Sequence, residues 1–269
     1  MHVIGGLSAN FRERRHRYMS GHSKWHSIRH KKAAVDAKRG AMFTKLIKEI
    51  VVAARMGGGD PNANPRLRTA VQAAKDVSMP KDNIERAIKK GSGELEDVSY
   101  EDFTLEGYGQ AGVAILVEGS TDNRNRTTAE IRHTFNKYGG SMGEQGCVSW
   151  MFNKKGVIEV PVEEQDEEAV MEAAIEAGAE DFESGGETFR VLTDPAHMQE
   201  VRQALEAQSI SVRSSTMENI PGNTIKVEGD DARKLMKLIE LLEENEDVSS
   251  VSANYDIDDN VLEAIGSEN

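Results

Sequence analysis

Cysteine is nearly missing: Cys147 is the single one in 269 residues. That excludes a disulfide framework within the chain and removes the basis for a cysteine-built zinc site. A reducing cytoplasm is the expected compartment. Aromatic residues make up only 5%, so several small aliphatic cores are expected rather than one aromatic core. No apolar run approaches the roughly 18–20 residues that span a bilayer, and no membrane partner is expected. The first 18 residues lack the apolar stretch of a secretory signal. They carry Arg12, Arg14, Arg15 and Arg17 against Glu13 alone. A transit-like presequence is one reading. The preferred one makes residues 1–19 a disordered or non-native extension, with Met19 as the natural start.

Charge is present but unevenly placed. The chain has 33 Lys+Arg, 46 Asp+Glu and a net charge of −13. Residues 1–93 hold 20 basic against 7 acidic side chains, a net of +13. The remainder holds 13 against 39, a net of −26. The average thus counts against a nucleic-acid partner, while the first third argues for one. Discounting the residues before Met19, the basic third still carries a net of +10.

Hydrophobic periodicity changes where the charge does. Helical spacing over 41–55, 65–77 and from Pro80 to Gly91 predicts an all-helical domain at 20–94, with Gly40 breaking the first helix from the basic run before it. Beyond it, strands are expected at 100–108, 113–119 and 147–152, with a helix at 125–138. The segment 153–221 reads βαββαβ, the ferredoxin-like order. Its strands are placed at 156–161, 181–184, 188–193 and 210–213. Its helices are placed at 163–177 and from an Asp194-Pro195 start to Gln208. A last βαβ spans 224–228, 230–244 and 248–255. Half a unit leaves a bare sheet face, so 95–152 plus 222–262 is expected to form one discontinuous α+β domain. The expected fold class is α+β: an N-terminal all-helical domain and two ferredoxin-like domains, the last inserted into the middle one.

The patterns that resemble catalytic or cofactor motifs have simpler readings. Gly107-Tyr-Gly-Gln-Ala-Gly112 has dinucleotide-fingerprint spacing but is followed by a strand-like run, so a hairpin turn is expected. His22, His26 and His30 share helical spacing, yet lysines and arginines between them repel a cation. Glu163, Glu164, Asp166, Glu167 and Glu168 have no cationic or histidine neighbour to split them into acid and base, and read as a solvated face. No nucleophile elbow surrounds any serine. No catalytic residue, metal site, cofactor or small-molecule substrate is therefore expected.

The basic segment is different. Lys24, Arg29, His30, Lys31, Lys32, Lys38, Arg39 and Lys45 cluster within about two helical lengths, with Trp25 at the edge. Such clustering is rewarded by polyphosphates through counterion release. Trp25 is placed to stack on an unpaired base. The polar lead-in Ser20–Ser23 is too poor in apolar residues to fold alone and is expected to order on a partner.

Several motifs also resemble the YebC/PmpR family. They are Gly21-His-Ser-Lys-Trp25, Lys31-Lys32-Ala33, Asp36-Ala37-Lys38-Arg39-Gly40 and Phe43-Thr-Lys-Leu-Ile47. Asn64-Pro-Arg-Leu-Arg68, Met79–Ile88, Glu118–Asn125 and Asn136-Lys-Tyr-Gly-Gly140 continue the match. His26-Ser27 departs from the expected Ala-Asn. The resemblance runs from about Met19 to the C-terminus. It implies three domains and carries two accounts of function: transcriptional regulators that bind promoter DNA, and ribosome-associated translation factors, including a mitochondrial activator of cytochrome oxidase subunit synthesis and factors that ease stalling at proline-rich stretches. The expected function is a non-enzymatic, nucleic-acid-binding regulator of gene expression. Ribosomal RNA is the favoured target and promoter DNA the alternative, with protein partners on the acidic domains.

Replacing Lys31→Glu together with Lys32→Glu is expected to weaken nucleic-acid binding by about tenfold or more at low salt and to flatten its salt dependence. Unchanged affinity in a filter-binding titration would leave a pure protein-interaction scaffold.

Overall fold

The computed structural model describes residues 35–95, 99–163, 165–184 and 186–268. The expectations for residues 1–34, including the extension and the histidine run, lie outside these. Two compact units separate: residues 154–218, and the remainder of the described chain on either side of them.

The N-terminal part is helical. Helix α1 (Val35–Gly57) runs through Gly40, which was expected to break it. Nothing crowds Gly40, and strong helix formers flank it, so the cost of about 1 kcal/mol is absorbed. The end of the basic run is therefore continuous with the amphipathic helix. Helices α2 (Pro65–Asp76) and α3 (Lys81–Gly91) follow near their expected bounds. Ile50, Val51, Ala53 and Ala54 of α1 meet Leu67, Ala70, Val71 and Ala74 of α2, and Ile84 and Ala87 of α3. Gly91 lets α3 approach the α1 backbone, since a Cβ there would collide with the Val51 carbonyl and Ala54.

Asn64 organises the connection between α1 and α2. Its Oδ1 accepts from Leu67 N–H at 3.1 Å, capping α2. Its Nδ2 donates to the carbonyls of Ala53 (2.8 Å) and Gly58 (2.9 Å). Pro65 follows at the first helical position, where no N–H is needed.

A sheet domain comes next. Strand β1 (Glu101–Tyr108) and strand β2 (Ala114–Thr121) form an antiparallel hairpin paired along eight residues. The glycine-rich stretch is its turn, with Ala111 and Gly112 at positive φ. Helix α4 (Arg124–Lys137) is followed by β3 (Ser141–Met142), which pairs with β1. After the 154–218 unit, helix α7 (Gly229–Glu244) leads to strand β9 (Val248–Ala253), which pairs with β2. The strand order is β3-β1-β2-β9, all neighbours antiparallel.

This order is the ferredoxin-like one, but two places are filled by other segments than expected. The place foreseen for 224–228 belongs to β1, because an eight-residue hairpin outcompetes a short strand. Only β8 (Ile225–Lys226) forms there, and it pairs in parallel with β10 (Tyr255–Asp256). The place foreseen for 147–152 belongs to β3. There, the buried Glu106 carboxylate accepts from the N–H groups of Gly146 (2.7 Å), Val148 (2.7 Å) and Ser149 (2.8 Å). Those donors cannot enter a ladder, so Ser149–Met151 is a 3-10 turn. Burial alone would raise the Glu106 carboxyl; the three N–H groups outweigh it and hold it below the usual range. Helix α8 (Asp259–Glu268) was not anticipated.

The 154–218 unit has the βαββαβ plan. Its elements are β4 (Phe152–Pro161), α5 (Glu167–Glu176), β5 (Asp181–Glu183), β6 (Thr188–Thr193), α6 (Met198–Ala207) and β7 (Ser214–Pro221). The order β5-β6-β4-β7 is the ferredoxin-like arrangement. Three boundaries differ from expectation. Asp166 caps α5 by accepting from Ala169 N–H, so the helix starts at Glu167. Asp194 instead closes a turn onto Ala196 N–H, and α6 starts at Met198. Ser209 takes positive φ and Ile210 is buried as a loop residue, which delays the last strand from 210–213 to β7.

Asn64→Ala removes one cap bond and two carbonyl partners. It is expected to destabilise the protein by about 2 kcal/mol in urea titration, with Asn64→Asp, which keeps the cap oxygen but sets a carboxylate oxygen against the two carbonyls, losing at least as much.

Candidate nucleic-acid interface

Of the nine expected contact residues, Lys24, Trp25, Arg29, His30, Lys31 and Lys32 lie outside the described residues. Lys38 lies on the first turns of α1, and its side chain is likewise not described. Arg39 is exposed, with its guanidinium 5.4 Å from the Phe43 ring centroid. Lys45 is turned inward. Its ammonium donates to the Glu243 carbonyl at 2.6 Å, at the C-terminal end of α7, where the helix dipole favours a cation. Lys45 therefore joins the helical domain to the sheet domain instead of standing open to phosphate.

One turn along α1, Lys48 makes the stronger link. Its Nζ lies 2.7 Å from Asp247 Oδ1 and 3.1 Å from the Glu246 carbonyl. Asp247 Oδ2 accepts from Thr127 (2.6 Å), Arg126 (2.8 Å) and Thr121 (3.0 Å). One carboxylate thus gathers α1, the end of β2 and the first turn of α4. Its side chain is only 7% exposed. Burial by itself would raise the Asp247 carboxyl; hydrogen bonds from Lys48, Thr127, Arg126 and Thr121 outweigh it and hold it far below the usual range. The sequence offers no local signal for this hub, because its partners lie as many as 199 residues away.

A second cation bridges the same two domains. Arg66 of α2 pairs with Glu49 of α1 at 2.7 Å and with Asp102 of β1 at 2.6 Å. These hydrogen-bonded carboxylates raise the Arg66 pKa further, so the guanidinium stays charged. Lys45, Lys48 and Arg66 are thus engaged within the protein. Arg39, Lys75, Lys81, Arg86 and Lys89 of the helical domain are exposed.

No group of three or more His, Cys, Asp and Glu among the described residues is arranged to hold a metal ion. Burial, and then the Glu106 charge, push the Cys147 thiol up, which makes it a poor nucleophile. In the 154–218 unit, Arg190 is buried between Glu183 and Glu218, a fully paired structural ion cluster. No described helix is long and apolar enough to cross a membrane.

Residues 23–94 match the TACO1/YebC protein N-terminal domain, and residues 100–255 match the TACO1/YebC second and third domain. The chain belongs to the TACO1/YebC family. A probable transcriptional regulatory protein of Geobacter sulfurreducens is 58% identical over 247 residues, covering 92% of this chain and 100% of its own. Proteins with the same description from Desulfatibacillum aliphaticivorans and Chlorobium luteolum are 55% and 54% identical, covering 91% and 92% of this chain and 99% of each of theirs. The crystal structure of a conserved hypothetical protein from Aquifex aeolicus matches with a TM-score of 0.79 and 49% identity, covering 84% of this chain and 94% of that one. Family membership thus bears out the resemblance found in the motifs, and the α+β fold class agrees with the solved relative.

Asp247→Asn leaves Lys48 and Arg126 facing an uncharged amide. A loss of about 3 kcal/mol at neutral pH is expected. A depressed carboxyl contributes its stability above the ordinary value of about 4 and loses it as pH falls below that. Urea titrations of the wild type should therefore show stability declining below about pH 4, and the variant should show a shallower decline.

Proposed function

We propose that this chain regulates gene expression by binding nucleic acid through the basic segment from Lys24 to Arg39, without catalysing a reaction. The observation that carries the proposal is the charge division. A net of +13 sits in residues 1–93 of a chain whose total is −13, and α1 extends the end of that basic run as an ordered helix. Lys24, Arg29, His30, Lys31, Lys32, Lys38 and Arg39 are assigned to phosphates, with Trp25 beside them. Lys45 is left out because the protein uses its ammonium internally.

Promoter DNA is the preferred target, since the relatives at 54–58% identity are described as probable transcriptional regulatory proteins. Control of transcription follows from occupancy of promoter-proximal duplex by the helical domain. The acidic remainder repels the phosphate backbone, which orients the molecule, and offers surface for protein partners. A cytoplasmic location goes with this role.

A second reading, a ribosome-associated translation factor, is favoured by one feature. Trp25 stands within a polar, basic lead-in suited to unpaired RNA bases. Sedimentation of lysate through sucrose at low and high salt, with and without nuclease, separates the two. Under the preferred reading the chain stays out of the ribosomal fractions and retards a promoter fragment more strongly than an unrelated duplex. Salt-sensitive co-migration with ribosomes, together with no sequence preference on DNA, would overturn the promoter reading in favour of the ribosome.

A further inference from the structure

Helix α4 is an exception within the acidic part of the chain. Its 14 residues include Arg124, Arg126, Arg132 and Lys137 against Glu130 alone. Thr127, Ile131 and Phe135 are buried beneath it. The opposite row, Asn125, Ala129, Arg132 and Asn136, is exposed, with His133 beside it. Spacings of four, three and four place these residues along one line of the helix.

Arg126 is paired with Asp122 and Asp247, and Arg124 donates to the Asp102 carbonyl, whereas Arg132 and Lys137 are left for the outer side. Lys226, Lys234 and Lys237, elsewhere in the sheet domain, are bridged to Glu228, Asp230 and Glu240. Arg132 has no ion pair or hydrogen bond among the described residues. Lys137 lies over the Tyr138 ring at 5.5 Å and pairs with no carboxylate among the described residues. Glu130 is drawn to the flank, where it accepts from Asn245 at 3.1 Å.

The helix is held firmly where it starts. Asn123 caps it by accepting from Arg126 N–H at 3.1 Å. Arg126 and Thr127 are fixed on Asp247, the carboxylate that also holds Lys48 of α1. The basic face of α4 is thereby anchored to the helix that extends the basic segment.

We infer that the outer face of α4 is a second nucleic-acid contact, and that its occupant is the major groove of double-stranded DNA. This rests on the promoter reading above and deepens it. Arg132 presents the fork that pairs with guanine O6 and N7, and Asn125 and Asn136 present amides that match adenine N6 and N7. Ala129, at the middle of the row, lets the helix approach closely. A helix about 10–12 Å across fits the B-form major groove, about 12 Å wide. The deep, narrow major groove of A-form RNA excludes it.

The test uses the full chain and fluorescence anisotropy with two labelled probes, a mixed-sequence duplex DNA about two helical turns long and a duplex RNA of the same sequence. Arg132→Glu is expected to weaken DNA binding by about tenfold and to lower the salt slope by about one. Lys234→Glu, the same charge change at an ion-paired site on α7, is expected to leave affinity unchanged. Asn136→Ala is expected to reduce discrimination among DNA sequences while keeping the salt slope. Thermal melts confirm folding, and Arg132→Ala replaces Arg132→Glu if the latter melts early. Equal loss in Arg132→Glu and Lys234→Glu, or none in either, would overturn the inference. Equal loss on RNA and DNA would overturn the assignment to the DNA groove. If Lys31→Glu with Lys32→Glu abolishes binding while Arg132→Glu does not, only this contact fails. If the wild type binds neither probe, the nucleic-acid reading fails with it.

Discussion

The Asp247 carboxylate is the point on which the arrangement of the larger unit turns. It receives Lys48 from α1, Thr121 from β2, and Arg126 and Thr127 from α4. Burying a carboxylate is costly unless its lone pairs are met, and here four donors meet them. The same residue's carbonyl accepts from Ser120 N–H at 2.9 Å. That approach is so close that a Cβ on Gly119 would collide with it. Backbone and side chain of one residue thus hold the helical domain, the hairpin and α4 in register. Removing any cation would leave a buried negative charge short of partners, so the site behaves as a unit.

Two other polar side chains do similar work on the backbone. Glu106 gathers three N–H groups and turns a stretch that could have extended a strand into a folded loop. Val148 and Phe152 of that region pack against Ala114 and Leu116 of β2. Asn64 satisfies two carbonyls and one N–H where α1 gives way to α2. Each answers the same requirement, that buried backbone groups find partners when no regular ladder supplies them.

The internal ties also shape what an outside partner can meet. Lys45, Lys48 and Arg66 look from composition like part of a general basic surface, yet each is directed at a neighbouring element of the protein. Basic side chains remain exposed elsewhere, among them Arg39, Lys75, Arg86 and Lys89 of the helical domain and Arg132 of α4. A charge total counts both kinds alike, so it does not tell cations used inside the protein from cations left at its surface.

Local sequence was sufficient where local physics decides. Apolar spacing with Asn64-Pro65 defined α2, and Pro80 with Gly91 bounded α3 closely. The charge division, the rejection of a dinucleotide loop at 107–112 and the family motifs needed no coordinates. The 154–218 unit was legible as βαββαβ because its elements pair with near neighbours in the chain. The misreadings have one cause. Propensity points to a break at Gly40 and to strands at 147–152 and 224–228, but the outcome depends on helix continuity, on Glu106 and on competition with the β1–β2 hairpin. Lys45 reads as a surface cation because nothing near it in sequence foretells a carbonyl 198 residues away. Amino-acid order alone determined most of the helices and strands, where the charge lies and which family the chain joins. Tertiary structure alone decided which strand occupies each place in the sheet and which cations face inward, because both are settled by competition among distant groups for the same buried partners.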